Sequence, residues 1–144
     1  MLHIKFIREN ADIIKASEKR RDHDPKVVDQ VLELDQNWRE QKGILQNLQQ
    51  QRNTTSEQIN KLMKQKKKDE AQTFIKEMKQ LVEDLKAQEE KTNNLKKERD
   101  SLQKSIGNVL EDSVPTGKSD ADNPTIKEVG NKPKFNFPIK DHQE

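Results

Sequence analysis

Residues 31–62, VLELDQNWREQKGILQNLQQQRNTTSEQINKL, carry apolar side chains at alternating intervals of three and four residues. Residues 74–109, FIKEMKQLVEDLKAQEEKTNNLKKERDSLQKSIGNV, repeat this heptad pattern. Most side chains outside the seam are charged or carry amides, and no Pro occurs in residues 26–114. Heptads sustained over such lengths predict coiled-coil helices rather than helices of a globular core. Without Pro, nothing forces either helix to end early.

The two seams can pair if the chain reverses in the polar segment at residues 66–71. The predicted fold is therefore all-α: a long antiparallel two-helix coiled-coil hairpin, with a short N-terminal helix at its base and an irregular C-terminal tail. At about 1.5 Å per residue the arm would project about 60 Å, and a hairpin this thin cannot enclose a catalytic pocket. Trp38 is expected to face Arg99 in a cation–π contact. Other polar seam residues are expected opposite apolar ones, in the pairs Gln41–Leu95, Gln88–Leu48 and Arg52–Leu85.

The predicted domain organisation has two parts. Residues 1–112 form the arm, with an extended start at residues 1–9, a short helix at about 10–21, and long helices at about 25–66 and 70–110. Asp24 is expected to cap the second helix, with Pro25 at its first position. Residues 113–144 are rich in Pro, Gly, Ser, Asn and Asp, which predicts a linker and the start of a further domain, with a short strand at residues 125–129.

Composition excludes several classes of protein. Hydrophobic residues make up 28% of the chain and charged residues 38%, too few apolar groups for a large globular core but enough for a coiled coil. Without cysteine there is no disulfide framework or thiolate metal site. His3, His23 and His142 have no partners at metal-ligand spacing. We expect no membrane span, no secretory signal and a cytoplasmic location.

No catalytic constellation can be placed in this sequence. Thr116–Ser119, TGKS, ends like a phosphate-binding loop, but Asp112 occupies the position where that motif requires Gly. Asp141 and His142 are neighbours in sequence only, which does not make an acid–base pair. We therefore predict no catalytic, cofactor-binding or metal-binding residue in this chain.

Lysines concentrate at the predicted hairpin tip and return on the second helix. One interpretation is a solvated coiled-coil end without a partner. The other is a surface that neutralises nucleic-acid phosphates. Since no aromatic residues accompany the lysines, that surface would recognise backbone and shape rather than stack on bases. The candidate phosphate-binding residues are Arg52, Lys61, Lys64, Lys68, Lys76, Lys79 and Lys86, with Arg52 reaching out from a seam position.

Four segments resemble seryl-tRNA synthetases when taken in order. They are MLHIKFIRENADIIK at residues 1–15, EKR at 18–20, DQVLELDQNWRE at 29–40 and QQQRNTTSEQI at 49–59. The hairpin, the exit SVPTGKSDADNP and the closing GNKPKFNFPIKDH extend the resemblance over essentially the whole chain.

The resemblance implies the arm of a class II aminoacyl-tRNA synthetase, which recognises serine tRNA by its long variable arm and elbow, largely through backbone contacts. It implies a catalytic domain as partner, in cis or in trans, and a homodimer only when that domain is present. ATP and magnesium would belong to the catalytic domain, so the chain alone would not be a complete enzyme. The alternative left open is a structural or chaperone-like coiled-coil hairpin that binds a protein partner through an apolar tip or stripe.

Overall fold

The computed structural model describes residues 1–117, 119–131, 133–138 and 140–141. These residues contain four α-helices, in chain order α1 (Ile4–Glu9), α2 (Ala11–Arg20), α3 (Lys26–Lys64) and α4 (Lys68–Ser105). The described residues contain no β-strand, so the predicted all-α fold is confirmed. The strand expected at residues 125–129 is absent. Asp112–Glu144 form a separate unit from Met1–Glu111.

α3 and α4 pack along their lengths as an antiparallel hairpin. They contain 39 and 38 residues, so each is about 57–59 Å long. The Asp24 carboxylate accepts the Lys26 N–H at 2.9 Å, which confirms the predicted cap at the start of α3. The capping interaction satisfies a backbone donor that the first helical turn leaves without an intrahelical partner.

The hairpin tip is a tight turn of three residues at 65–67. The Lys67 N–H donates to the Leu62 carbonyl at 3.0 Å and the Lys66 N–H donates to the Met63 carbonyl at 3.1 Å. This pair of bonds is the Schellman arrangement, in which one residue takes a left-handed conformation. That residue is Lys66, with φ of 58°, a position where Gly would be the least strained choice.

The first residues of the chain form a helix rather than the extended segment that we predicted. His3 precedes α1, and its Nδ1 accepts the Lys5 N–H at 3.2 Å. Apolar residues at the start suggested an extended segment, but the His3 cap and the burial of Ile7 in the core at the base of the hairpin favour a short helix of six residues. Asn10 then separates α1 from α2, and its side-chain amide donates to the Phe6 carbonyl.

A small apolar core lies at the base of the hairpin. α1 and α2 fold back onto α3, as expected for the short N-terminal helix. Complete burial of such side chains stabilises the fold by about 1.5–3 kcal/mol each relative to exposure. The buried core members are Ile7, Ile14, Val28, Val31 and Ile106.

α4 ends at Ser105, five residues before the predicted end at 110. Ile106 adopts an extended conformation and is buried in the base core. The Gly107 N–H then donates to the buried Glu18 carboxylate at 3.0 Å, while the Leu110 N–H donates to the Ser17 hydroxyl at 2.9 Å. A Cβ at position 107 would approach the Arg21 guanidinium to 2.9 Å, so Gly allows the chain to pass close to α2.

Among its described residues, the second unit contains one regular element, a 3₁₀-helix at Asp120–Asp122. Ser119 and Asp122 cap it reciprocally, side chain to backbone. The rings of Phe135 and Phe137 contact each other, with centroids 5.2 Å apart. Both rings remain at least half exposed, as do Ile126 and Val129.

Candidate nucleic-acid interface

The seam that holds the arm together follows the predicted heptads. Buried or half-buried positions on α4 recur at intervals of three and four residues from Ala71 to Leu102, and α3 shows the same spacing from Val31 to Leu62. Arg52 is the exception, since it occupies a seam position yet is exposed. The regular burial of the seam determines which side of the arm each remaining residue occupies.

Polar seam residues pair with each other more than we predicted. The Gln88 amide donates to the Gln41 backbone carbonyl at 2.9 Å and to its side-chain oxygen at 3.0 Å. The predicted pairings of Gln88 with Leu48 and of Gln41 with Leu95 did not include this hydrogen-bonded contact. Each seam side chain enters a hole formed by four residues of the facing helix, so the Gln88 amide can reach a polar neighbour there and satisfy its hydrogen bonds.

A charged cluster crosses the seam nearer the base. Arg99 donates to the Asp35 carboxylate at 3.0 Å, and both side chains are less than 10% exposed. Arg39 and Arg8 approach the second carboxylate oxygen of Asp35 to 3.2 and 3.7 Å. The Arg99 guanidinium also lies 4.6 Å from the Trp38 ring centroid, as predicted. These contacts join α1, α3 and α4 at one point.

All seven candidate phosphate-binding residues are exposed on the distal part of the arm. Six of them, all lysines, form no salt bridge with any residue that the structure describes. The seventh, Arg52, donates to the Asn53 side chain at 3.0 Å and is directed away from the seam. Lysines without carboxylate partners leave the distal arm with positive charge that is not neutralised locally. The six lysines are Lys61, Lys64, Lys68, Lys76, Lys79 and Lys86.

The structure does not bring these lysines onto one face. Lys79 and Lys86 lie seven residues apart and share one side of α4. Lys64 and Lys76 each lie two residues beyond the second seam position of a heptad, Leu62 and Phe74, and so occupy the outer surfaces of their helices. Lys61 lies on a third side, on α3. The cluster is a basic collar around the distal arm rather than a single stripe.

Two surface features of α4 were not identified from the sequence. Ile75 and Val82 are 38% and 50% exposed, and they are the exposed large apolar side chains of this helix. Glu70, Glu77 and Asp84 form an acidic row on the opposite side, each separated from the next by seven residues. Both rows could have been predicted from the sequence, because their members are spaced by seven residues and the heptad assignment places them on one side of the helix.

The described residues contain no group of His, Asp and Glu suited to a metal ion. Lys118 of the TGKS segment and His142 lie outside the described residues, so the structure does not test the arguments made on them.

No described helix is both long and apolar enough to cross a membrane.

Comparison with known proteins identifies the family to which the chain belongs. Residues 1–110 match the model of the seryl-tRNA synthetase N-terminal domain. The serine–tRNA ligase of Staphylococcus haemolyticus is 40% identical over 143 residues, which is 99% of this chain and 33% of that protein. This chain therefore spans about a third of the length of that curated relative.

Two solved structures share the fold. The seryl-tRNA synthetase of Pyrococcus horikoshii, complexed with ATP, superposes with a TM-score of 0.72 at 32% identity, over 85% of this chain and 28% of that one. The cytoplasmic serine–tRNA ligase of Naegleria fowleri, in complex with AMP, gives 0.70 at 29% identity, over 91% and 28%. With the family model covering residues 1–110, the chain belongs to the seryl-tRNA synthetase family and carries its N-terminal, coiled-coil domain.

Proposed function

We propose that the distal arm binds the sugar-phosphate backbone of serine tRNA, at its long variable arm and elbow, and presents it for seryl-tRNA aminoacylation. The observation that carries this proposal is the collar of exposed lysines, which form no salt bridge with any described residue, on a long two-helix hairpin. Lysines on an extended helical surface neutralise phosphates and release counterions on binding. The aminoacylation chemistry, with ATP and magnesium, would come from a catalytic domain in cis or in trans.

The arrangement suits backbone recognition. Lysine is a point charge on a flexible stem and contacts phosphates without demanding one geometry. Lys79 and Lys86 are about 10 Å apart along α4, and Lys68 lies about 16 Å beyond Lys79 toward the tip. A nucleic-acid backbone that follows or crosses the distal arm would meet positive charge on more than one side of it.

The test is fluorescence anisotropy of the full chain with serine tRNA over a range of salt concentrations. If about six lysines contact phosphates, log K should fall with log salt with a slope of roughly −4 to −5. Serine tRNA without its variable arm should bind at least tenfold more weakly. Equal affinity for both RNAs would refute specific recognition by this arm.

Charge reversal locates the interface. The triple variant Lys64→Glu, Lys68→Glu and Lys79→Glu should lose detectable binding, with unchanged helicity by circular dichroism because all three side chains are exposed. The matched control reverses the exposed Lys91, Lys97 and Lys104 nearer the base, an equal change in net charge. If both variants weaken binding equally, net charge rather than the distal collar accounts for the affinity.

The alternative, a hairpin that binds a protein partner, is favoured by one observation, the exposed Ile75 and Val82. Such a partner would compete with tRNA for the arm or bind without regard to the lysines. If a protein partner still binds the arm after the distal charge reversal, while tRNA no longer does, this alternative is supported.

A further inference from the structure

An apolar groove of about 370 Å³ opens on the distal arm between the two helices. Ile59 and Met78 are half-buried, and Ile75 and Val82 are exposed beside them. These four side chains are called the aliphatic platform below. Exposed apolar groups that gather at one place on a charged surface mark a contact site.

Three of the candidate phosphate-binding lysines lie on α4 beside the platform. Lys79 lies four residues after Ile75 and lines the groove, while Lys86 lies four residues after Val82. Residues four apart are neighbours on a helix surface. Lys68 precedes Ile75 by seven residues and so lies on the same side, toward the tip. Glu83 is the one carboxylate among the groove-lining residues.

The N-terminal segment of the chain does not cover this platform. Gln103 lies on the same side of α4, 21 residues after Val82, and its amide donates to the Leu2 carbonyl at 2.7 Å. This contact holds the N-terminal segment at the base, about 31 Å along the helix from Val82. The base end of this side therefore contacts the segment before α1, at Leu2, whereas the distal groove is open.

We propose that the aliphatic platform receives the flat face of a nucleobase in the bound RNA while the flanking lysines hold the adjacent phosphates. This inference rests on the proposed function. A nucleobase at the end of a stack exposes an apolar face beside charged phosphates, and it is the ligand whose chemistry matches an aliphatic floor with an ammonium rim. Aliphatic side chains such as Ile and Met are known to pack against base faces in nucleic-acid complexes.

This contact with a base differs from the sequence-based prediction. The lack of aromatic residues near the lysines had indicated that the arm contacts only the RNA backbone. Platform contacts are not electrostatic, so salt does not screen them. They would contribute to affinity at high salt, where the lysine–phosphate term is weak.

The experiment is anisotropy of the full chain with serine tRNA over a salt series, for the double variant Ile75→Gln and Val82→Gln. We expect at least tenfold weaker binding at every salt concentration, with the slope of log K against log salt unchanged. The control is Ile44→Gln, because Ile44 is 46% exposed but lies on the other side of the arm. That variant should bind as the wild type does.

Three outcomes would overturn the inference. If the double variant binds tRNA like the wild type while the distal lysine reversal abolishes binding, the proposed function stands and the platform does not contact RNA. If the wild type binds no tRNA, both fail. If sedimentation equilibrium shows that the wild type self-associates and the double variant does not, with tRNA affinity unchanged, the platform binds a second copy of the chain.

Discussion

Replacing Asp35 with Ala should destabilise the arm more than any change at its surface. Breaking a buried ion pair by removing one partner costs about 3–5 kcal/mol, since the remaining charge stays desolvated. In this variant Arg99 would retain its ion pair with Asp100, at 2.7 Å, and its cation–π contact with Trp38. Part of the Arg99 charge therefore stays compensated. The Arg8 and Arg39 contacts add little because both side chains are more than a third exposed. We therefore expect a loss of about 2–3 kcal/mol.

The assay is thermal unfolding of the full chain, followed by circular dichroism at 222 nm. A loss of this size should lower Tm by about 8–12 °C for a unit of this length. The double variant Asp35→Leu and Arg99→Leu should recover most of the loss, because apolar residues replace a buried pair at little cost. Glu9→Ala removes an exposed pair with Lys5 and should change stability by less than about 0.5 kcal/mol. The buried-pair reasoning is refuted if Asp35→Ala lowers Tm no more than Glu9→Ala does. It is also refuted if the double Leu variant is at least as unstable as Asp35→Ala.

Two further predictions concern backbone geometry. Lys66→Gly should stabilise the arm by about 1 kcal/mol, because a left-handed φ strains a residue with a Cβ; urea unfolding with the midpoint unchanged or lower would contradict it. Ser17→Ala should cost about 1–3 kcal/mol, because the buried Ser17 hydroxyl accepts the Leu110 N–H. Hydrogen exchange at Leu110 should accelerate at least tenfold in that variant, and unchanged protection would show that water replaces the bond.

Local patterns in the sequence accounted for the elements with short-range causes. The heptads predicted the hairpin because a seam position depends only on residues three and four away. The cap at Asp24 and the contact of Trp38 with Arg99 followed from cap preferences and from pairing the two seams. The polar segment also predicted a reversal near residues 66–71, and the turn lies at 65–67.

Features that depend on distant residues were not predictable in this way. α4 ends at Ser105 because Glu18 and Ser17, about 90 residues earlier in the chain, bind the backbone beyond it. The helical start of the chain depends on a base core that closes only when the hairpin has formed. The sequence predicted which basic residues lie on the surface but not on which side of the arm each one lies. That assignment requires the packing of the seam to be known.

The position of the lysines on α4 relative to those on α3 depends on the register of the hairpin. A slip of one heptad would move them by about 10 Å along the arm, comparable to the spacing of Lys79 and Lys86. Two features prevent it: a tip turn of only three residues, and the Asp35–Arg99 pair. Asp35 lies 29 residues from the end of α3, about 44 Å from the tip. A slipped register would leave Arg99 buried without its carboxylate, so the polar residues that weaken the seam also specify the register that positions the distal lysines.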